Sequence, residues 1–248
     1  MEDQADRQET TKNEHSIANC GIKDIGVVVG LEIGLEFLLY PFLRPLLKNL
    51  VITGAIDCSL RFGILYLWVI KHRGVNFSEL GFSSARRRIG LGVLVGASVL
   101  FFYYLILGAS MYPAAQLDFR FLHSNVIRLL PVLLLWMVPI VGLGPFFEEI
   151  YYRGFIYQVL RQKWGVSRAL ILQSFYFALV HIPRGTPSSL HSIRGIDFLK
   201  ILFLGVIFTL LFQKTKSLWT SISTHSTYNL LNTLLYLILH FAQNSPKT

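Results

Sequence analysis

The sequence predicts an all-α fold, a polytopic transmembrane bundle of about seven to eight helices. Three observations predict it. Apolar residues make up 53% of the 248 and charged residues only 15%, with a mean hydropathy of +0.51, too apolar for a water-soluble domain of this length. Apolar runs recur at lengths close to the roughly 20 residues a helix needs to cross a bilayer. The basic residues behind the net charge of +9 sit in short loops between those runs. That is the pattern membrane topology imposes, and it is preferred to nucleic-acid binding. Cys20 and Cys58 lie in different segments and show no CxxC or zinc spacing, so neither a disulfide framework nor a structural metal is implied.

Residues 1–24 are polar, hold six of the fourteen acidic residues and lack the pattern of a cleavable signal, so they read as a disordered tail before a transmembrane unit over 25–242. The first span, 25–43, carries Gly26, Gly30 and Gly34 at a spacing that would let another helix approach. It also holds Glu32 and Glu36, carboxylates that a membrane tolerates only in a bundle interior or when paired, for example with Arg61. The second span, 50–70, places Asp57 and Arg61 at helical pairing distance. The loop that follows is the most basic of the chain, with Lys71, Arg73 and Arg86-Arg87-Arg88, which assigns it and the N-terminus to the cytoplasm. A third span at 89–108 repeats the small-residue stripe with Gly92 and Gly96, and a fourth at 127–143 returns to the cytoplasmic half. A helix is expected to start at Pro145 and end near Gly165, with an apolar segment at 169–182 after it. The Pro, Gly and Ser content of 183–195 predicts a loop, and two last spans follow at 198–212 and 218–241. No internal repeat and no second domain appear.

Chemistry concentrates at 143–154, where two adjacent carboxylates and an arginine lie in apolar sequence. Glu149 and Arg153, four apart, share a helix face and can pair, while Glu148 points about 100° away and is left free. Starting the helix at Pro145 would put both glutamates near the positive end of its dipole. Further on, Phe177 and His181 are four apart, and so are His225 and Asn229. A lone histidine in an apolar helix is most often a satisfied core residue. Two of them with a Glu pair, an Arg and an Asn are expected to share one cavity, because buried polar groups must find partners.

The order Glu148-Glu149-x-x-x-Arg153, Phe177-x-x-x-His181, His225-x-x-x-Asn229 resembles the three-motif signature of the CAAX prenyl protease and bacteriocin-processing family of intramembrane endopeptidases, over a core of 141–235. The resemblance implies peptide-bond hydrolysis at the membrane. Glu148 would be the base that activates water, His181 would orient that water, His225 and Asn229 would face the oxyanion, and Arg153 would pair with Glu149. No cofactor is expected. Zinc on Glu148, His181 and His225 is the competing mechanism, since two His and one carboxylate can hold it with an open position. A proton-coupled transporter and a non-catalytic immunity or scaffold protein are the alternatives outside catalysis. The expected partners are the lipid bilayer and a peptide or membrane-protein substrate, prenylated or not, with no nucleic acid. The expected location is a bacterial inner membrane, and the basic residues Arg161 and Lys163 would sit at the rim of the site.

Overall fold

The computed structural model describes residues 17–46, 50–82, 86–111, 137–181 and 191–243; among these every regular element is helical and none is a strand. The helices are α1 (Ile22–Leu46), α2 (Leu50–Leu65), α3 (Arg86–Met111), α4 (Gly144–Glu149), α5 (Gln158–Val180), α6 (His191–Thr215) and α7 (Leu218–Gln243). Wider π-helical turns extend α2 over Tyr66–His72, precede α4 over Val138–Leu143 and join α4 to α5 over Ile150–Tyr157. The tail 1–16 and most of the expected fourth span lie outside the described residues. The all-helical class is as expected.

Sequence and structure part company in three places. The loop expected at 183–195 yields to helix from His191 onward, because the apolar run of α6 recruits the residues before it. The stripe Gly26, Gly30 and Gly34 meets nothing: a Cβ at any of the three would find no atom within 4 Å among the described residues. The buried face of α1 is the other one, through Asp24, Val28 and Glu32, also four apart. Pro145 does not start a helix either. It lies inside a continuous helical run, and the π turn before it absorbs the missing N–H by letting Gly144 donate back to the carbonyl of Pro139. The two glutamates therefore lie within a helical run rather than at its positive end.

The stripe on α3 does seat a helix. A Cβ on Gly92 would strike the Ser223 hydroxyl, and one on Gly96 would come to 2.6 Å from the Thr224 carbonyl, so α3 and α7 are in backbone contact there. The axle of the bundle is the π segment Ile150–Tyr157, all eight residues of which are buried. Gly165, with φ 79, turns α5 sharply at its first third, near where the helix was expected to end. The tyrosines and Phe155 of the axle pack with Leu65, Val69, Leu80, Phe177, Phe212 and Leu218.

The outside of this bundle is apolar. Phe37, Leu94, Phe101, Ile171, Leu199 and Phe203 are all more than half exposed. The stretches 88–105 in α3 and 197–215 in α6 are long and apolar enough to cross a membrane, yet only 17% and 28% of each is buried inside the bundle. Core helices of a soluble protein would be covered; these present their side chains outward, as lipid-facing helices do.

One end is closed by a clamp. Asp24 accepts hydrogen bonds from the Gly21 N–H (2.8 Å), the Trp68 indole (3.0 Å) and two Arg73 nitrogens (2.7 Å each), tying the start of α1 to the end of α2. Burial alone would raise its pKa, but these donors hold it down at about 2. Ile17 and Cys20, which composition places in the polar tail, are buried beside it.

Candidate active site

The site is built where α4, α5 and α7 meet. Glu149 is fully buried and has both oxygens engaged: one accepts from Arg153 Nη1 at 2.8 Å and from His225 Nδ1 at 2.9 Å, and the other accepts from the Ser221 hydroxyl. Arg153, also fully buried, donates its second arm to the Gly205 carbonyl at 3.3 Å, and its guanidinium lies 4.5 Å from the Phe177 ring centroid and 5.3 Å from that of Phe208. A buried ion pair is tolerable only when its remaining valences are met, and here hydrogen bonds and aromatic faces meet most of them. The close passage of α6 that brings in Phe208 depends on Gly205, where a Cβ would stand 3.3 Å from Ser174 and Phe177.

Glu148 is placed differently. Its side chain keeps 27% exposure where Glu149 has none, and it lines a cavity of about 190 Å³ together with His181, Arg61, Cys58, Tyr151 and Tyr152. Glu148 Oε2 makes no hydrogen bond to protein. It faces His181 Nε2 at 3.6 Å and His225 Nε2 at 3.9 Å. The far nitrogen of each ring is held: His181 Nδ1 by the Phe177 carbonyl at 2.6 Å, His225 Nδ1 by Glu149. Both partners are acceptors, so each Nδ1 carries a hydrogen, and each Nε2 is left facing Glu148, an acceptor in a neutral ring and a donor in a protonated one. Both gaps to Glu148 Oε2 are too long for a direct hydrogen bond. Only a molecule that donates hydrogens, or a proton on one ring, satisfies such a set.

Asn229 is reached from the same helix face as His225 but does something unforeseen. Its Nδ2 donates to the Ile140 carbonyl at 3.0 Å. Gly144 has turned back to Pro139, and Pro145, five residues after Ile140, has no N–H to give. Asn229 supplies the donor that the proline withholds, and its second amide hydrogen is not committed there.

The opposite wall of the cavity belongs to α2, through Cys58, Arg61, Phe62 and Leu65, with α1 behind it. Arg61 pairs with Glu32 at 2.6 Å, the pairing expected for the intramembrane carboxylate, and Tyr151 donates its hydroxyl to Glu32 at 2.5 Å. Glu36 and Asp57 fall outside the side chains the structure describes. Sequence reasoning missed Ser221, Phe208 and Tyr151. Ser221 could have been found, since it precedes His225 by four on one helix; Phe208 and Tyr151 carry no such spacing signal.

Among the described residues no three His, Cys, Asp or Glu side chains gather in a way that would hold a metal ion. Comparison with curated proteins and with solved structures finds no match. Residues 130–231, which contain all six motif residues, match the family model described as Rce1-like, type II CAAX prenyl endopeptidase.

Proposed function

We propose that the protein is an intramembrane endopeptidase that hydrolyses a peptide bond with a water activated by Glu148. The observation that carries this is the convergence of the His181 and His225 Nε2 atoms on Glu148 Oε2, an oxygen with no protein donor, beside a cavity that Glu148 and His181 line. One water donating to two of them and aimed at a carbonyl carbon is the simplest occupant. As its oxygen attacks, its proton passes to Glu148; the tetrahedral intermediate then collapses, the C–N bond breaks, and Glu148 returns the proton to the leaving nitrogen. His181 holds the water. His225, protonated with Glu149 behind its Nδ1–H, and the second amide hydrogen of Asn229 are the donors available to the oxyanion. Glu149 and Arg153 keep the helix and the imidazole in place. The substrate is a peptide or membrane-protein segment that enters the bundle from the bilayer. A bacterial inner membrane with the basic end in the cytoplasm fits the charge distribution.

The test is hydrolysis by the purified full chain in lipid, using a prenylated C-terminal-cysteine peptide and unmodified peptides, with products identified by mass. Glu148→Gln keeps the shape but cannot take a proton, and turnover is expected to fall by a factor on the order of 10² to 10⁴ while the helical circular dichroism is unchanged. A folded Glu148→Gln variant with normal turnover would falsify the assignment. A proton-coupled flux in sealed vesicles without any cleavage would favour a transporter instead.

A further inference from the structure

Tyr152 stands four residues after Glu148 on the same helical run, the spacing that pairs Glu149 with Arg153, so the two side chains leave one face a turn apart. Both line the cavity. Their polar atoms have complementary needs. Glu148 Oε2 is an acceptor with no protein donor, and the Tyr152 hydroxyl is a donor with no hydrogen-bond partner among the described residues. Tyr152 is only 2% exposed, and a hydroxyl buried without a partner is costly to the fold. Other donors on the same wall are already engaged: Arg61 pairs with Glu32, the Tyr151 hydroxyl donates to Glu32, and His181 Nδ1 donates to the Phe177 carbonyl.

The Tyr152 ring is fixed by its neighbours. Its centroid lies 4.9 Å from that of Tyr151, 5.0 Å from that of Phe177 and 5.8 Å from that of Tyr176, each ring steeply inclined to it, and the Arg153 guanidinium lies 5.9 Å away. The hydroxyl is therefore preorganised on the cavity wall rather than free to seek a partner. It needs an oxygen, and Glu148 needs a hydrogen. A peptide bond under attack brings both, the oxygen on its carbonyl and the hydrogens on the incoming water. We propose that Tyr152 is a catalytic residue of the hydrolysis, its hydroxyl donating to the oxygen of the scissile carbonyl and more strongly to the oxyanion that forms there. This rests on the reading of the cavity as a peptidase site. Tyr152 keeps its proton throughout: the carbonyl electron pair moves to oxygen as the water oxygen bonds to carbon, the water proton passes to Glu148, and the pair returns as the C–N bond breaks. His225 and Asn229 reach the reaction from α7, and Tyr152 adds a donor from the cavity side.

The experiment compares wild type, Tyr152→Phe and Glu148→Gln as purified full chains in lipid, reading kcat, KM and the melting temperature with a peptide that the wild type cleaves. A phosphinic peptide of the same sequence, tetrahedral and anionic where the intermediate is, serves as inhibitor. Tyr152→Phe removes one oxygen and leaves the ring in place. Its kcat is expected to fall by a factor on the order of 10² with KM little changed, the mark of an interaction made in the transition state. Inhibition by the phosphinic peptide should weaken alongside kcat/KM. The melting temperature should hold or rise, because an unpaired buried hydroxyl has been removed. 3-Fluorotyrosine at position 152 keeps the donor and should restore turnover. A wild-type kcat in Tyr152→Phe, with Glu148→Gln inactive, overturns the role of Tyr152 and leaves the peptidase reading standing. A lowered melting temperature with unaltered inhibition by the phosphinic peptide overturns it in favour of a structural hydroxyl. Failure of the wild type to cleave any peptide overturns both readings together.

Discussion

Adjacent residues in this chain have opposite fates, and the difference between Glu148 and Glu149 shows how one helix makes both a scaffold and a reagent. Glu149 has both oxygens engaged, by Arg153, His225 and Ser221, whereas Glu148 presents an oxygen with no protein donor to a cavity. Removing the scaffold partner should be felt as instability. Arg153→Ala leaves the Glu149 carboxylate buried with its counter-charge gone, and about 3–5 kcal/mol of stability is expected to be lost, measured by denaturant unfolding in detergent. The reagent should be felt as chemistry alone. On the proposed reading, in which Glu148 and the imidazoles hold a water without a metal, full turnover is expected after exhaustive chelation, with no metal found by elemental analysis; loss of activity restored by zinc would instead put the ion between Glu148, His181 and His225. The pairing of Glu149 with Arg153 and the freedom of Glu148 were legible from a four-residue spacing. The hydrogen bond from Asn229 to Ile140 was not, since it depends on which carbonyl a proline and a π turn leave without a donor.

Helices here are positioned by where they lack side chains. α3 meets α7 through Gly92 and Gly96, and α6 meets α5 through Gly205. Gly96→Val would drive a side chain into the Thr224 carbonyl, one residue from His225, and a loss of about 1–3 kcal/mol is expected from the forced separation. Turnover should fall with it, because His225 rides on the displaced helix; a stable variant with unaltered kinetics would show the contact to be dispensable. The same spacing on α1 misled. Gly26, Gly30 and Gly34 have the sequence pattern of an interface, yet the buried face of α1 runs through Asp24, Val28 and Glu32, because partners for those polar groups exist on α2 and beside α4. A small-residue stripe permits a contact; a buried charge demands one. The helix through Pro145 departs from expectation for a related reason: a proline marks a helix start because an α-helical turn before it would need its N–H, and the turn here is a wider π turn.

At the level of the whole molecule, the ends of the helices are fastened by polar clamps while the flanks are left to lipid. The Asp24 clamp is the clearest, and its pH dependence follows from its pKa. Asp24 titrates at about 2 in the folded chain against an ordinary 3.8, so its contribution is complete above pH 3.8 and is lost as pH falls through 2. Trp68, which donates to Asp24, should report this as a fluorescence change between roughly pH 4 and 2 that is absent in Asp24→Asn. The all-helical class and the apolar flanks were legible from composition, because bilayer thickness sets the length of apolar runs. The path of the chain between the helices was less so, since π turns change the residue count per turn without any marker in hydropathy. One consequence reaches back to synthesis. Glu149 and Arg153 pair within a single helical run, so that run enters the bilayer with its deepest charges already matched. His225 is made 77 residues after Glu148, a delay of roughly 4–15 s at about 5–20 residues per second, and until α7 arrives the nascent chain holds a carboxylate, a cavity wall and one imidazole but not the second.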